Sequence, residues 1–431
     1  MTQHQARGRT TLPAALLAEV DTSLAEVDTE LARRYPGDPG SRQPVHTVYV
    51  PAYAFDAATV RSWGAQALAA MDAHAPTPEA FAAALGVPDD GLAAEVHARV
   101  RAKLAREPVE DLRIDFEDGY GPHSDAEEDA DALRTAHLVA GAAAEGAGPP
   151  YVGIRIKCLE SAVRARAIRT LDLFLTGLLD APGGPPDGLR LTLPKVTDPR
   201  QATAMARLCA EFERAAGLPD RRIGFEIQIE TTQSILGPDG RATVARLIDA
   251  ADGRCTGLHY GTFDYSAACG VGPAQQRPDH PAADHAKAVM QVAAAGTGVR
   301  LSDGSTNVLP VGTTEQVHAA WRLHHGLVRR SLDRAYYQGW DMHPGHLPTR
   351  YAGVYAFYRE GLEAAGRRLA AYLAGTAGGV LDEPATARAL SGHLLRGLDC
   401  GALDGGEVAE ACGLDRAQLE SLAGRGRAVR S

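Results

Sequence analysis

Residues 111–120 read DLRIDFEDGY. Apolar and polar positions alternate through Ile114 and Phe116, and the run closes on three carboxylates, Asp115, Glu117 and Asp118. Strict alternation marks a strand. A strand that ends on buried acids is costly unless those acids are paired or hold a metal ion. Asp115 and Glu117 share a face, and Asp118 lies on the other unless the strand has already ended. Asp115 and Glu117 are therefore expected to face the site, and Asp118 to fix the following loop or hold an arginine.

Seven further β-rich runs surround this one. They are VHTVYVPA (45–52), YVGIRIK (151–157), LRLTLPKV (189–196), IGFEIQIET (223–231), GLHYGTFDY (257–265), VRLSDGS (299–305) and AYYQGWDMHP (335–344). Helical patterns fill the gaps, at 57–73, 160–180, 199–216, 241–251, 280–295 and 313–330. Strands alternating with helices imply a parallel sheet. Eight such repeats favour closure into a (β/α)8 TIM barrel over an open doubly wound sheet. An open sheet would carry a glycine-rich phosphate loop after an early strand, and neither GxGxxG there nor GxxxxGK[ST] anywhere occurs. The expected division is an N-terminal helical extension over 1–40, a barrel over 41–375 and a small helical tail over 376–431. A helical insertion is expected at about 74–110, after strand one.

Composition narrows the function. The 431 residues carry 44 basic and 54 acidic side chains, a formal charge of −10. A nucleic-acid binder needs a basic face, so no nucleic-acid partner is expected. The stretch EVAEACGLDRAQLESLAGRG in the tail has the outline of a helix–turn–helix, but a packing or oligomer-contact helix pair suits this acidic chain better. No run of about 18 apolar residues would span a membrane. The N-terminus lacks the apolar core of a signal peptide, and a cytoplasmic location is expected. The six cysteines suit neither a zinc site nor a disulfide framework.

In a barrel of this kind the chemistry lies at the C-terminal ends of the strands. Polar residues gather there: Asp115, Glu117 and Asp118; Arg155 and Lys157; Lys195; Glu226, Gln228 and Glu230; Asp264; Asp303; His343. Glu226, Gln228 and Glu230 share parity and are all expected to point inward. Glu230 and Asp264, on adjacent strands, suit a hard divalent cation, Mg2+ or Mn2+. Glu226 has two readings, a part in that site or an ion pair with Lys195 or Arg155.

The segments VYVPA, DFEDGY, IRIK, LPKV, IET, GTFDYSAACG and MHPGHL, in this order, resemble the HpcH/HpaI aldolase/citrate lyase family, of the phosphoenolpyruvate/pyruvate barrel superfamily. DFED and GTFDY also resemble malate synthases. The likeness covers residues 45 to about 360. It implies a TIM barrel, commonly a homo-oligomer, with Mg2+ on Glu230 and Asp264. It further implies a small carboxylate substrate met by Arg155 and by Gly261, Thr262 and Phe263 of GTFDY. Asp115, Glu117 and Asp118 would lie near the metal and its waters, and Lys195 would line the barrel. Citrate lyase beta-type chains lack the insertion and the tail, so this is a divergent branch.

The implied activity is metal-dependent carbon–carbon bond cleavage, an aldolase or lyase reaction on a 2-oxo acid. An enolate oxygen develops negative charge, which a Lewis acid and an arginine both stabilise. Lys195 also admits Schiff-base chemistry, against which stands an ion-paired, protonated lysine. For the proton-transfer group, His343, His46, His259 and Asp303 are unranked, and His343 has an alternative as a turn residue. Two rival functions are a condensing or phosphoryl-transfer enzyme of the same superfamily, malate-synthase-like, and a catalytically silent barrel.

Overall fold

The computed structural model describes residues 11–88, 90–375 and 383–425. Eight strands form one parallel sheet: β1 (His46–Pro51), β2 (Asp111–Asp115), β3 (Tyr151–Arg155), β4 (Arg190–Leu193), β5 (Gly224–Ile229), β6 (Cys255–Tyr260), β7 (Arg300–Ser302) and β8 (Gly339–Asp341). Their order is β7-β6-β5-β4-β3-β2-β1-β8. A parallel bridge from Ser302 to Gln338 joins the outer two, so the sheet closes. The Gln43 side chain secures that seam by donating to the Leu301 carbonyl oxygen, 3.1 Å away. The expected (β/α)8 barrel is the fold.

Among the described residues sixteen α-helices accompany the strands. The first six are α1 (Ala14–Arg34), α2 (Thr59–His74), α3 (Pro78–Leu85), α4 (Gly91–Arg106), α5 (Asp125–Ala144) and α6 (Arg164–Asp180). Then follow α7 (Pro199–Ala216), α8 (Thr232–Ile235), α9 (Thr243–Ala250), α10 (Thr262–Ala268), α11 (Pro281–Ala294) and α12 (Thr314–Asp333). The last four are α13 (Leu347–Leu373), α14 (Pro384–Cys400), α15 (Gly405–Cys412) and α16 (Arg416–Ala423). Local chemistry sets several starts. Ser124 with Glu127, Asp198 with Gln201 and Thr313 with Gln316 form capping boxes that satisfy the first free N–H groups of α5, α7 and α12. No helix among the described residues is long and apolar enough to cross a membrane.

The strands are shorter than the sequence runs at their C-terminal ends. The polar residues there leave the ladder to make side-chain contacts across the mouth. The insertion after β1 is not free-standing. Its α3 packs on α12, and its α4 on α2 and α13, burying Val96, Val100 and Leu104. The tail helices α14 and α15 pack on α13, and α16 packs on α14. Val408, Cys412 and Leu419 are buried in those contacts. Arg99 of α4 binds Asp404 at 2.9 Å and Glu407 at 3.1 Å, tying insertion to tail. The helix–turn–helix outline is thus spent on packing.

Asp303, after β7, is buried and takes two bonds from the Lys287 ammonium, at 3.0 and 2.9 Å. The Ser331 hydroxyl and the Gly304 N–H donate to the same carboxylate. Removing one partner of a buried pair strands the other charge. Lys287→Met is expected to destabilise the fold by about 3–5 kcal/mol, read as a lowered urea midpoint at an unchanged slope.

Candidate active site at the barrel mouth

The alternation of each strand sends every second side chain into the barrel. The inward residues form charged layers. In the deep layer Arg113, fully buried, pairs with Asp111, donates to the Thr192 hydroxyl at 3.0 Å and reaches Glu226 at 2.6 Å. His259 Nε2 lies 3.1 Å from the same Glu226 oxygen. Burial would raise the Glu226 carboxyl, and Arg113 and His259 more than offset it, so Glu226 stays well below the usual carboxylate range. The ion-paired reading of Glu226 therefore holds, but its partner is Arg113 and not Lys195 or Arg155. Arg113 escaped the sequence reading, although its parity with Asp115 was visible in RID.

One layer up, Arg155 and Asp115 form a buried two-point pair. Nε and Nη2 of Arg155 each lie 2.7 Å from one Asp115 oxygen. The guanidinium stacks over Tyr49 at 4.8 Å and over Trp340 at 5.5 Å. Its remaining nitrogen, Nη1, lies 3.3 Å from Gln228 Oε1 and 3.4 Å from Glu117. Asp115 also accepts the N–H groups of Glu117 at 3.0 Å and Gly119 at 2.8 Å. This corrects the expected division of labour. Asp115 holds the arginine and fixes the loop, while Asp118 reaches over the mouth. The alternation ends after Asp115 because that carboxylate captures the loop amides of Glu117 and Gly119.

At the mouth, three carboxylates approach one ammonium and a fourth takes the same residue's N–H. Lys195 Nζ contacts Glu117, lies 2.6 Å from Asp118 and 3.7 Å from Asp264. The Lys195 N–H donates to Glu230 at 2.7 Å, with the backbone in the left-handed region at φ 50°. The other Glu230 oxygen accepts from the Gln228 amide at 2.7 Å. Burial pushes the Glu230 carboxyl up to about 8. Arg155 and Lys195 pull it down, and Glu117 and Asp264 add to the rise. Burial also raises Glu117. Burial opposes the Lys195 charge, but Glu230 and Glu117 outweigh it and hold the ammonium protonated. For Asp118, half exposed, the Lys195 bond outweighs burial and lowers the carboxyl.

The GTFDY segment supplies the wall beside Glu230. A Cβ on Gly261 would fall 2.5 Å from Glu230 Cβ and 2.7 Å from Oε2, so only glycine fits there. Thr262 is buried and donates its hydroxyl to the Ser305 carbonyl oxygen at 3.2 Å. Phe263 is half-buried, and Asp264 is exposed in the first turn of α10. Lys157 turns away from the mouth, to Glu128 and the Phe116 carbonyl oxygen.

The unranked proton-transfer candidates have structural partners. His46 Nδ1 lies 3.0 Å from Asp341 and its Nε2 accepts the Glu110 N–H at 3.1 Å. His259 serves Glu226, and Asp303 serves Lys287. His343 caps its own turn by accepting the Gly345 N–H at 3.0 Å. Its reading as a turn residue fits this contact. Arg350, His324 and His46 converge on Asp341 at the end of β8, a cluster the sequence did not reveal.

Among the described residues no group of three or more His, Cys, Asp or Glu is arranged to enclose a metal ion. The mouth is instead a set of carboxylates with too little positive charge around them. A profile described as a domain of unknown function, DUF6986, matches residues 24–426. The chain belongs to the DUF6986 family. No curated protein sequence matches it. Among solved structures, a citrate lyase from Burkholderia xenovorans superposes with a TM-score of 0.56 at 19% identity, over 86% of this chain and 96% of that one. A malate synthase from Haloferax volcanii gives 0.47 at 14% identity, over 72% and 74%. The CitE protein of Mycobacterium tuberculosis, in complex with magnesium and acetate, gives 0.44 at 15% identity, over 84% and 98%. At these identities the first likeness establishes that the DUF6986 chain shares the citrate lyase fold. The resemblance in sequence holds at that level.

The raised Glu230 has a measurable consequence. Between pH 4.5, its ordinary value, and about 8 the folded chain keeps a proton that the unfolded chain releases. Stability therefore falls as pH rises through that window. Thermal melts of chelator-treated protein across pH 5 to 8.5 are expected to slope downward. Glu230→Gln, which cannot ionise, is expected to flatten the slope.

Proposed function

We propose that this chain is a metal-dependent enzyme that cleaves or forms a carbon–carbon bond next to the carbonyl of a small 2-oxo acid. The observation that carries this reading is the charge imbalance at the mouth. Glu117, Asp118, Glu230 and Asp264 share Lys195, and the further cation at hand, Arg155, is paired two-point with Asp115 and reaches only Glu117, at 3.4 Å. A buried carboxyl forced up to about 8 is an acid awaiting a cation. The donor set fits Mg2+, which binds through one or two carboxylates, keeps several waters and takes substrate oxygens as further ligands. Glu230 and Asp264 would hold the ion, and Mn2+ would suit the same oxygens. When bound, such an ion supplies a Lewis acid for the carbonyl and carboxylate oxygens of the substrate.

The chain's own residues supply the rest. Arg155 is pre-organised by Asp115 and by the Tyr49 and Trp340 rings. Its Nη1 edge is directed toward the mouth and can donate to an oxygen that gains charge as the bond breaks. Fixed donors of this kind need no reorganisation during the reaction. Glu117, raised by burial and touching Lys195, is the mouth carboxylate best suited to take and return a proton. Lys195 itself is held protonated by its acids, which argues against a nucleophilic amine. The same fixed groups serve cleavage and condensation alike, since both directions share the enolate. The citrate lyase fold of the Burkholderia protein is compatible with this reading.

Binding to the folded state alone raises its melting temperature by mass action. Mg2+, with oxaloacetate, pyruvate or glyoxylate, is expected to raise the melting temperature of the wild type. Glu230→Gln and Asp264→Asn should lose that shift. EDTA should abolish turnover of the productive 2-oxo acid, and Mg2+ or Mn2+ should restore it. Turnover that survives chelation and is trapped on Lys195 by borohydride would sink the metal reading. The absence of any shift with all three acids would instead support a silent barrel.

Glu117→Gln separates proton transfer from metal binding. It is expected to lower kcat by about 10²–10⁴-fold while leaving the Mg2+ thermal shift in place.

A further inference from the structure

The helix α1, Ala14–Arg34, contains a repeat: LAEVDTS at 17–23 is followed by LAEVDTE at 24–30 and then by Leu31. The period is seven residues. Leu17, Val20, Leu24, Val27 and Leu31 follow at alternating spacings of three and four, the a and d positions of a heptad. They form one apolar seam along the helix. No residue of α1 is buried, and these five side chains are 43–50% exposed. The helix is tethered at its C-terminal end. Arg33 and Arg34 reach Asp249 at 3.5 Å across exposed surface, contacts worth about 0–1 kcal/mol each. Tyr35 then rests on Gly296. Among the described residues nothing covers the seam.

A heptad seam is specific about what covers it. A period of 3.5 residues matches only another helix with the same period, packed knobs into holes. We propose that α1 is a coiled-coil segment through which copies of this chain associate, parallel and in register. The flanking residues decide the direction. In a parallel pair each g residue meets the e residue of the next heptad on its partner. Here that sets Leu16 by Asp21, Ser23 by Asp28 and Glu30 by Tyr35, so no two like charges meet. An antiparallel pair brings e against e, and Asp21 would face Asp28. Helix propensity points the same way. The repeat is rich in Val, Asp and Thr, which are weak helix formers, so α1 gains much of its stability from a covered seam. Leucine at a with a β-branched residue at d favours more than two strands.

Disulfide trapping on the full-length chain tests this independently of any activity. Leu24→Cys, mildly oxidised, is expected to give a covalent dimer on a non-reducing denaturing gel. The wild type, with Cys269 as its exposed thiol, sets the background. Leu17→Cys should give the same product in a parallel seam, and its failure beside a positive Leu24→Cys would overturn the parallel orientation. The triple variant Leu17→Asp, Leu24→Asp, Leu31→Asp should sediment as a smaller species than the wild type, with an unchanged barrel melt. Unchanged sedimentation of that variant, or a Leu24→Cys yield at the wild-type background, would overturn the proposal.

Discussion

The pair between Asp115 and Arg155 organises the mouth of this barrel. Each Asp115 oxygen accepts one guanidinium N–H and one backbone N–H. All of its stronger acceptor directions are therefore used inside the protein. Four consequences follow from one carboxylate. The strand ends at Asp115, and the chain turns over the mouth. Glu117 and Asp118 are carried to Lys195 by that turn. Arg155 is locked on Tyr49 and Trp340 with its Nη1 edge toward Gln228 and Glu117. Residue 119 must be glycine, because a Cβ there would fall 2.6 Å from an Asp115 oxygen. A two-point arginine pair is geometrically demanding, and lysine cannot reproduce it.

The interior above and below this pair shows how position alone separates two chemically identical groups. Glu226 and Glu230 lie on one strand run, four residues apart, and point the same way. Glu226 has Arg113 and His259 against it and stays ionised. Glu230 has two hydrogen bonds but no cation in contact through its side chain, and its carboxyl rises to about 8. In the deep layer Arg113 is shared by Asp111 and Glu226, and burial together with the Glu226 charge raises Asp111; at the mouth Glu117, Asp118 and Asp264 share the Lys195 ammonium, and Glu230 takes its N–H. A buried carboxyl shifted this far, at the concave end of the barrel where the strand ends meet, is a candidate for a functional site.

Much of this was legible in the sequence. The strand count and the alternation with helices gave the barrel, and the shared parity of Glu226, Gln228 and Glu230 gave their inward direction. The polar strand ends pointed to the end of the barrel where Glu117, Asp118, Glu230 and Asp264 gather around Lys195. What could not be read was pairing. Parity says that Asp115 faces inward, but not that Arg155 of the next strand lies opposite it; that is set by register. The same holds for Arg113 with Glu226 and for Asp341 with His46, His324 and Arg350. The exchange of roles between Asp115 and Asp118 has this origin, since a strand's last residue is fixed by what captures the next amides.

Lys195 connects these points. It occupies the left-handed region at φ 50°, a conformation that costs a non-glycine residue roughly 1–2 kcal/mol. That strain persists because both ends of the residue are held. The backbone N–H is fixed on Glu230, and the ammonium on Glu117 and Asp118. Strained residues of this kind cluster where the surroundings over-determine them, often at sites of function. In the metal-loaded enzyme proposed above, the ion and the ammonium would draw on the same acids. The lysine thus ties the four acids of the mouth to one residue, its N–H to Glu230 and its ammonium to Glu117, Asp118 and Asp264.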